Sequence, residues 1–309
     1  MSAKSTLLSV AIFGIGFAAL LRLVDGPGAE AIPRVLTLAM LGVVPLSLLA
    51  LPSVGPTWDR LVAVAAVGLP VAGALGVIAL WRPEPEAGLW ASGWMGFALL
   101  LAFVGALRMS KAFRPFDAAR AISASALLFV PVGAGWLVAS RMGARPLGFD
   151  PILVVLTAVH FHFAALAAPV LASRVVDALD GRLRRVAAAA GVVVVASIPV
   201  VAVGLTLSAE LALVGASALA VALLIVGGLT LTHVQRTARS RWARGLLVIS
   251  GLSVILSMPL AVAYQWGQVT GQPLVDLELM IRLHGYANAH GFATCGLLAW
   301  AIEARRGAR

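Results

Sequence analysis

Polarity along this chain is grouped rather than alternating. Apolar runs of about 18 residues or more, each enough to carry an α-helix across a hydrocarbon core of about 30 Å, follow one another down its whole length. Short polar stretches separate them. The pattern predicts ten spans: Thr6–Leu21, Val35–Val54, Leu61–Trp81, Leu89–Leu107, Ala121–Ser140, Ile152–Ser173, Val186–Leu207, Leu211–Leu231, Leu246–Trp266 and Leu279–Ile302. These runs are apolar all round, whereas the strands of a membrane β-barrel alternate between faces over about ten residues, so a barrel is excluded. The expected fold is an all-α, polytopic transmembrane helix bundle of about ten spans, forming a single integral membrane domain over 1–309.

Composition agrees. Of 309 residues 61% are hydrophobic and only 12% charged, against roughly a quarter charged in soluble domains. Basic residues accumulate in loops that stay cytoplasmic. With the N-terminus inside, seventeen of the 23 Lys and Arg fall on the inner side, among them Lys4, Arg60, Arg108, Lys111, Arg114, Arg182, Arg184, Arg185, Arg236, Arg239, Arg241, Arg244, Arg305, Arg306 and Arg309. The outer side keeps Arg22, Arg34, Arg82, Arg141, Arg145 and Arg282, and eight of the 13 acids, from Asp25 to Glu278. Both termini are therefore expected in the cytoplasm of a multi-pass protein of the bacterial inner membrane, and a reporter fused after Gly307 should read as cytoplasmic. The net charge of +10 is accordingly topology, not a nucleic-acid signal. The expected partners are membrane lipids, which the basic loops attract through anionic headgroups, and a lipophilic small molecule. Cys295 is the single cysteine, so neither an intrachain disulfide nor a cysteine metal cluster can form. Lys4 ahead of the first span mimics a secretory signal, but a retained helix is expected.

Function is not spread evenly. Residues 1–120 read mainly as scaffold, with Pro45 and, further on, Pro199 as kinks. Gly191, Gly204, Gly215, Gly227 and Gly228 read as close-approach positions between helices. Most Trp residues sit at span ends as an interfacial belt, from Trp58 and Trp81 to Trp242 and Trp266, while Trp94 and Trp136 lie deeper and could line a cavity. Asp117 is placed to cap the fifth span. The chemistry concentrates in 121–309, where two spans hold four of the five histidines. The fifth, His233, lies among arginines at a span end.

On the sixth span, His160 lies about 12 Å and His162 about 15 Å below the outer end; on the tenth, His284 lies about 8 Å and His290 about 16 Å deep. Polar groups at such depth face a cavity or one another. At 100° per residue His160 and His162 diverge by about 200°, His284 and Asn288 share a face, and His290 lies about 120° from His284. Gly285 and Gly291 would open room beside them. The sixth and tenth spans are thus expected to be neighbours around one polar cavity, or to carry two pockets.

Neutral imidazole tolerates an apolar setting, titrates near neutrality and ligates transition metals. His160, His162, His284 and His290 could therefore hold a haem iron or a single transition metal, oriented by Asn288, Tyr286 or Thr157. The rival is metal-independent acid–base chemistry on an isoprenoid-like or quinone-like substrate, an isomerisation, cyclisation or epoxide opening. His160, His162, His284, Asn288, His290 and Tyr286 would carry it, with Glu278 and Asp276 at the rim. Glu278 and Arg282, at i and i+4, also suit a plain surface pair. Transport ranks lower, because no Asp, Glu, Lys or Arg lies at mid-span. The plain alternative is that each histidine simply hydrogen-bonds a neighbouring helix.

The stretch "LTAVHFHFAALAAPV", with "PVGAGWLVASRMGARPLGF" upstream and "LHGYANAHGF" downstream, resembles the YndJ-like family of bacterial membrane proteins over approximately Pro131 to Ala301. The four histidines and Asn288 match that family's characteristic positions. The resemblance implies a polytopic membrane topology and locates the site. More locally, "HFHF" resembles the His-Phe-His-Tyr segment of haem-copper oxidase catalytic subunits, where histidines two apart serve different haems. Here the order of segments is reversed, and the adjacent histidine pair and the His-Tyr of a copper site are missing.

Overall fold

In the computed structural model the described residues are 3–21, 31–53, 55–113 and 115–306, without the side chains of 56–58, 305 and 306. Arg22, Asp25, Val54, Arg114, Gly307 and Arg309, and the side chains of Trp58, Arg305 and Arg306, lie outside the described residues.

Ten helical runs follow one another: α1 (Ala3–Leu21), α2 (Ile32–Ala50), α3 (Pro56–Leu80), α4 (Glu86–Ala112), α5 (Ala118–Arg141), α6 (Pro151–Asp177), α7 (Gly181–Leu207), α8 (Ala209–Thr237), α9 (Arg241–Thr270) and α10 (277–306). No β-strand occurs among the described residues. The first nine are long and apolar enough to cross a membrane. The tenth run, expected as a span, is not among those nine; its first half carries Arg282, His284, Asn288 and His290.

Local chemistry sets the ends. The Asp117 carboxylate accepts the Arg120 amide at 3.1 Å, Ser208 Oγ that of Leu211 at 3.2 Å and Asp276 that of Leu279 at 2.7 Å, each satisfying a donor that a first helical turn leaves open. Gly271 ends α9 in the left-handed region at φ 69°, which a Cβ would disfavour.

Proline explains part of the irregularity. Pro45 and Pro169 cannot donate to the carbonyl four residues back, and each closely follows a wider π turn, Ala39–Val43 in α2 and Phe163–Ala167 in α6. In α10 the π winding is far longer, spanning Met280–Gly285 and Ala287–Cys295.

The chain divides into two compact units, residues 1–167 and 168–309, so the stretch 121–309 expected to carry the site runs across the division. In the first unit α2 is the most enclosed helix and packs against α1, α3 and the first half of α6. The α1–α2 contact needs Gly14, whose Cβ would lie 2.4 Å from the Leu41 backbone. Helices α3, α4, α5 and the first half of α6 pack in sequence order. Arg108, counted above among the cytoplasmic loop charges, is instead part of α4 and 1% exposed. Its guanidinium donates to the Pro52 carbonyl and lies 3.8 Å from Asp59, because a charge so enclosed must be paired.

The second unit comprises the end of α6 and α7–α10. Three of the predicted close-approach glycines behave as expected: a Cβ on Gly204 would meet the Ala212 backbone, on Gly215 the Val201 backbone, and on Gly227 the Val254 side chain. Gly228 does not, having nothing within 4 Å. Helix α10 lies along α9, with Gly291 against Ser253 and Gly296 against Ser250. The Arg174 guanidinium sits 4.4 Å from the Trp300 ring and 3.4 Å from Asp177.

Candidate functional site

The first histidine neighbourhood is closed. On the regular α-helix Pro151–His162, His160 and His162 point apart, as the 200° divergence requires, and the two meet opposite fates. His162 is 0% exposed. The indole N–H of Trp94, also 0% exposed, donates to His162 Nε2 at 3.0 Å, which puts the imidazole proton on Nδ1, and Nδ1 donates to the Ala158 carbonyl at 2.8 Å. Both ring nitrogens are thus committed to protein partners, and the two rings stack at 5.8 Å. Gly133 on α5 lets this pair close, since a Cβ there would lie 2.8 Å from Phe161 Cβ and 2.9 Å from His162 Nδ1. Such an arrangement suits hydrogen bonding between helices and does not fit a metal ligand, which needs a ring nitrogen to offer. Trp94 therefore joins a polar pair rather than lining a cavity.

His160 lies on the opposite, exposed side of α6, its Nδ1 donating to the Leu156 carbonyl at 2.8 Å. Thr157, expected as an orienting partner, bonds the Leu153 carbonyl instead. Trp136 stacks on Phe149 and lines a shallow groove of about 180 Å³ with Pro131, Val132, Gly135, Ala139 and Pro146. The quoted "PVGAGWLVASRMGARPLGF" thus builds a surface feature of the first unit.

The second neighbourhood is α10, in the other unit. Its π winding makes the 100° rule inapplicable over 280–295, so the predicted 120° between His284 and His290 does not carry over. The i,i+4 neighbours still meet. His284 Nδ1 lies 3.0 Å from the Ser257 carbonyl of α9, so that nitrogen carries the proton and Nε2 is the lone-pair nitrogen. The Asn288 amide sits 3.3 Å from the same Nδ1 and donates to the His284 carbonyl at 2.8 Å. Asn288 thereby helps to satisfy a backbone that π winding distorts, its amide lying against the ring without a hydrogen bond to the protonated Nδ1. Thr294 adds a bond from its hydroxyl to the Ala289 carbonyl at 2.7 Å, five residues back. One register along, Tyr286 stacks on His290 at 5.7 Å and 18°; His290 is exposed and His284, Tyr286 and Asn288 are half-buried. Gly291, expected to open room, is instead filled by Ser253.

The rim acids behave as surface groups. Glu278 pairs with Arg282 at 3.4 Å, both exposed, and Asp276 is occupied as a cap. His233 is exposed beside Thr232. Among the described residues no three His, Cys, Asp or Glu side chains gather closely enough to hold a metal ion.

A chain whose described residues include nine helices long and apolar enough to cross a membrane, with few polar residues within them, is a multi-pass, all-α membrane protein. Comparison with known proteins narrows the class: the model of the YndJ-like protein family matches residues 34–292, and the chain belongs to that family. The match begins well before Pro131 and so takes in most of the first unit. The chain is also 26% identical over 181 residues to the uncharacterized membrane protein YndJ of Bacillus subtilis (strain 168), an alignment covering 57% of this chain and 32% of that protein. The matched region therefore spans about a third of the relative's length. No solved structure matches.

Proposed function

We propose that this chain binds, and by metal-independent acid–base chemistry acts on, a lipophilic molecule at the polar face of α10. His284 is the proton-handling group. The observation that carries this reading is its bracing: Nδ1 fixed on the Ser257 carbonyl with Asn288 packed against it, on a helix wound as π for most of 280–295. A general base needs one nitrogen held as donor so that the other is the basic one, and Nε2 of His284 meets that condition. The π-helix is rare, and π turns within helices are frequent at functional sites. Tyr286 and His290 supply a flat, stacked polar surface beside it, suited to a ring or head group on an otherwise apolar substrate. Glu278 is left to the rim pair.

The chain purified in mild detergent and solvent-extracted should yield a lipophilic compound, read by mass spectrometry, that is depleted in His284→Gln and Asn288→Ala and retained in Glu278→Gln. Equal yields from all three variants would remove the reading and leave helix-to-helix hydrogen bonding.

A further inference from the structure

At the end of the second unit away from Asp276, the last turn of α8, the connecting turn and the first turn of α9 carry four exposed arginines, Arg236, Arg239, Arg241 and Arg244, together with the exposed indole of Trp242. None of the four belongs to an ion pair among the described residues. The acid held against this turn, Glu303, does not neutralise their side chains directly. Its two carboxylate oxygens accept the backbone amides of Arg239 at 3.1 Å and Ser240 at 2.9 Å, capping the start of α9 from the far end of α10. Arg244 reaches back to the Ala238 carbonyl at 3.5 Å, and the Arg241 guanidinium sits 5.3 Å from the Trp242 ring. The turn is therefore stiffened before any ligand arrives, while all four arginines stay exposed.

Both helices that meet here are membrane-crossing by length and composition, so the turn lies at a membrane boundary. Trp 67% exposed at such a boundary sits among lipid headgroups, and guanidinium forks match phosphate oxygens. We infer that the α8–α9 turn is a binding site for the headgroup of an anionic phospholipid, with Arg239, Arg241 and Arg244 on the phosphate and Trp242 against the glycerol and upper acyl chain. The partner is a lipid of the surrounding leaflet, because an indole held beside the charges gains nothing from a soluble anion. Glu303 is the positioning residue that shapes the turn.

The test uses the full chain in nanodiscs of phosphatidylcholine doped with brominated phosphatidylglycerol or, at equal fraction, brominated phosphatidylcholine. The Trp242 signal is taken as the difference from a Trp242→Phe variant. Stronger quenching by the anionic lipid is expected, falling about tenfold or more in preference when Arg239, Arg241 and Arg244 all become Gln, and only partly restored when all three become Lys, which keeps the charge without the fork. Should the triple Gln variant not fold, Arg241→Gln and Arg244→Gln singly should each lower the preference several-fold. Equal quenching by the two lipids, a preference that survives the Gln substitutions, or its abolition by millimolar inorganic phosphate at constant ionic strength would each overturn the assignment.

Discussion

Two histidines in this protein, both on helices the sequence marks as polar, end in opposite circumstances. His162 is sealed between α4, α5 and its own helix, with Trp94 on one nitrogen and a carbonyl on the other. His284 is half-buried on a helix wound as π, its Nδ1 donating to the Ser257 carbonyl of α9 and its own carbonyl accepting the Asn288 amide. Histidine inside a membrane span is therefore not one signal. A ring tied to its own helix at one nitrogen and to a neighbouring indole at the other fastens the fold; under the function proposed above, a ring whose Nδ1 is held by a neighbouring helix handles a proton at Nε2.

The sharpest way to break this contrast is to open the closed pair. Trp94→Ala removes a fully buried indole and strands His162 Nε2, and should cost about 3–5 kcal/mol, seen as a collapse of the thermal midpoint in detergent. Trp94→Phe, which keeps most of the ring but loses the donor, should cost about 1–3 kcal/mol, the penalty of one buried acceptor left without a partner. Gly133→Ala should cost about 1–3 kcal/mol, because its Cβ has only Phe161 and the His162 ring to push against.

On α10 the order reverses, with small effects on stability and large ones on ligand. His284→Gln should destabilise by about 0.6 kcal/mol, and at most about 1.7, the range of hydrogen bonds between membrane helices, while removing the bound lipophile. Glu278→Gln, at an exposed pair, should fall within about 0.5 kcal/mol of the parent and keep the ligand. A preparation should be colourless, with transition metal far below one equivalent by elemental analysis. A Soret band lost in a His160 or His284 variant would return the site to haem and erase the contrast drawn between the two neighbourhoods.

Much of the architecture was legible from residues alone. Apolar runs located the ten helical runs of the described residues, nine of them apolar enough to cross a membrane; Asp117 capped its helix as its position suggested, Glu278 and Arg282 formed the pair that their i,i+4 spacing allows, and the divergence of His160 from His162 followed from helical periodicity. Other features left no local mark. Arg108 looks like one more basic residue near a span end, and only the Pro52 carbonyl and Asp59, distant in sequence, make it an enclosed tie. Glu303 reads as a tail residue until α10 delivers it to the amides of Arg239 and Ser240.

What this sequence by itself determined, then, is which segments are helical and, where the winding is regular, which side chains share a face, because those properties depend on neighbours within about four residues and on the length of apolar runs. Only the tertiary structure decided which histidine is closed. The partner of His162 lies 68 residues earlier on another helix, and Gly133 must be absent a Cβ for the two to meet. Winding belongs to the same category. Nothing in "MIRLHGYANAHGFATC" announces a π-helix, whose cost is met by packing against α9 and by the side-chain bonds of Asn288 and Thr294. Contacts of that kind depend on two surfaces at once, and a single helix's sequence specifies only one of them.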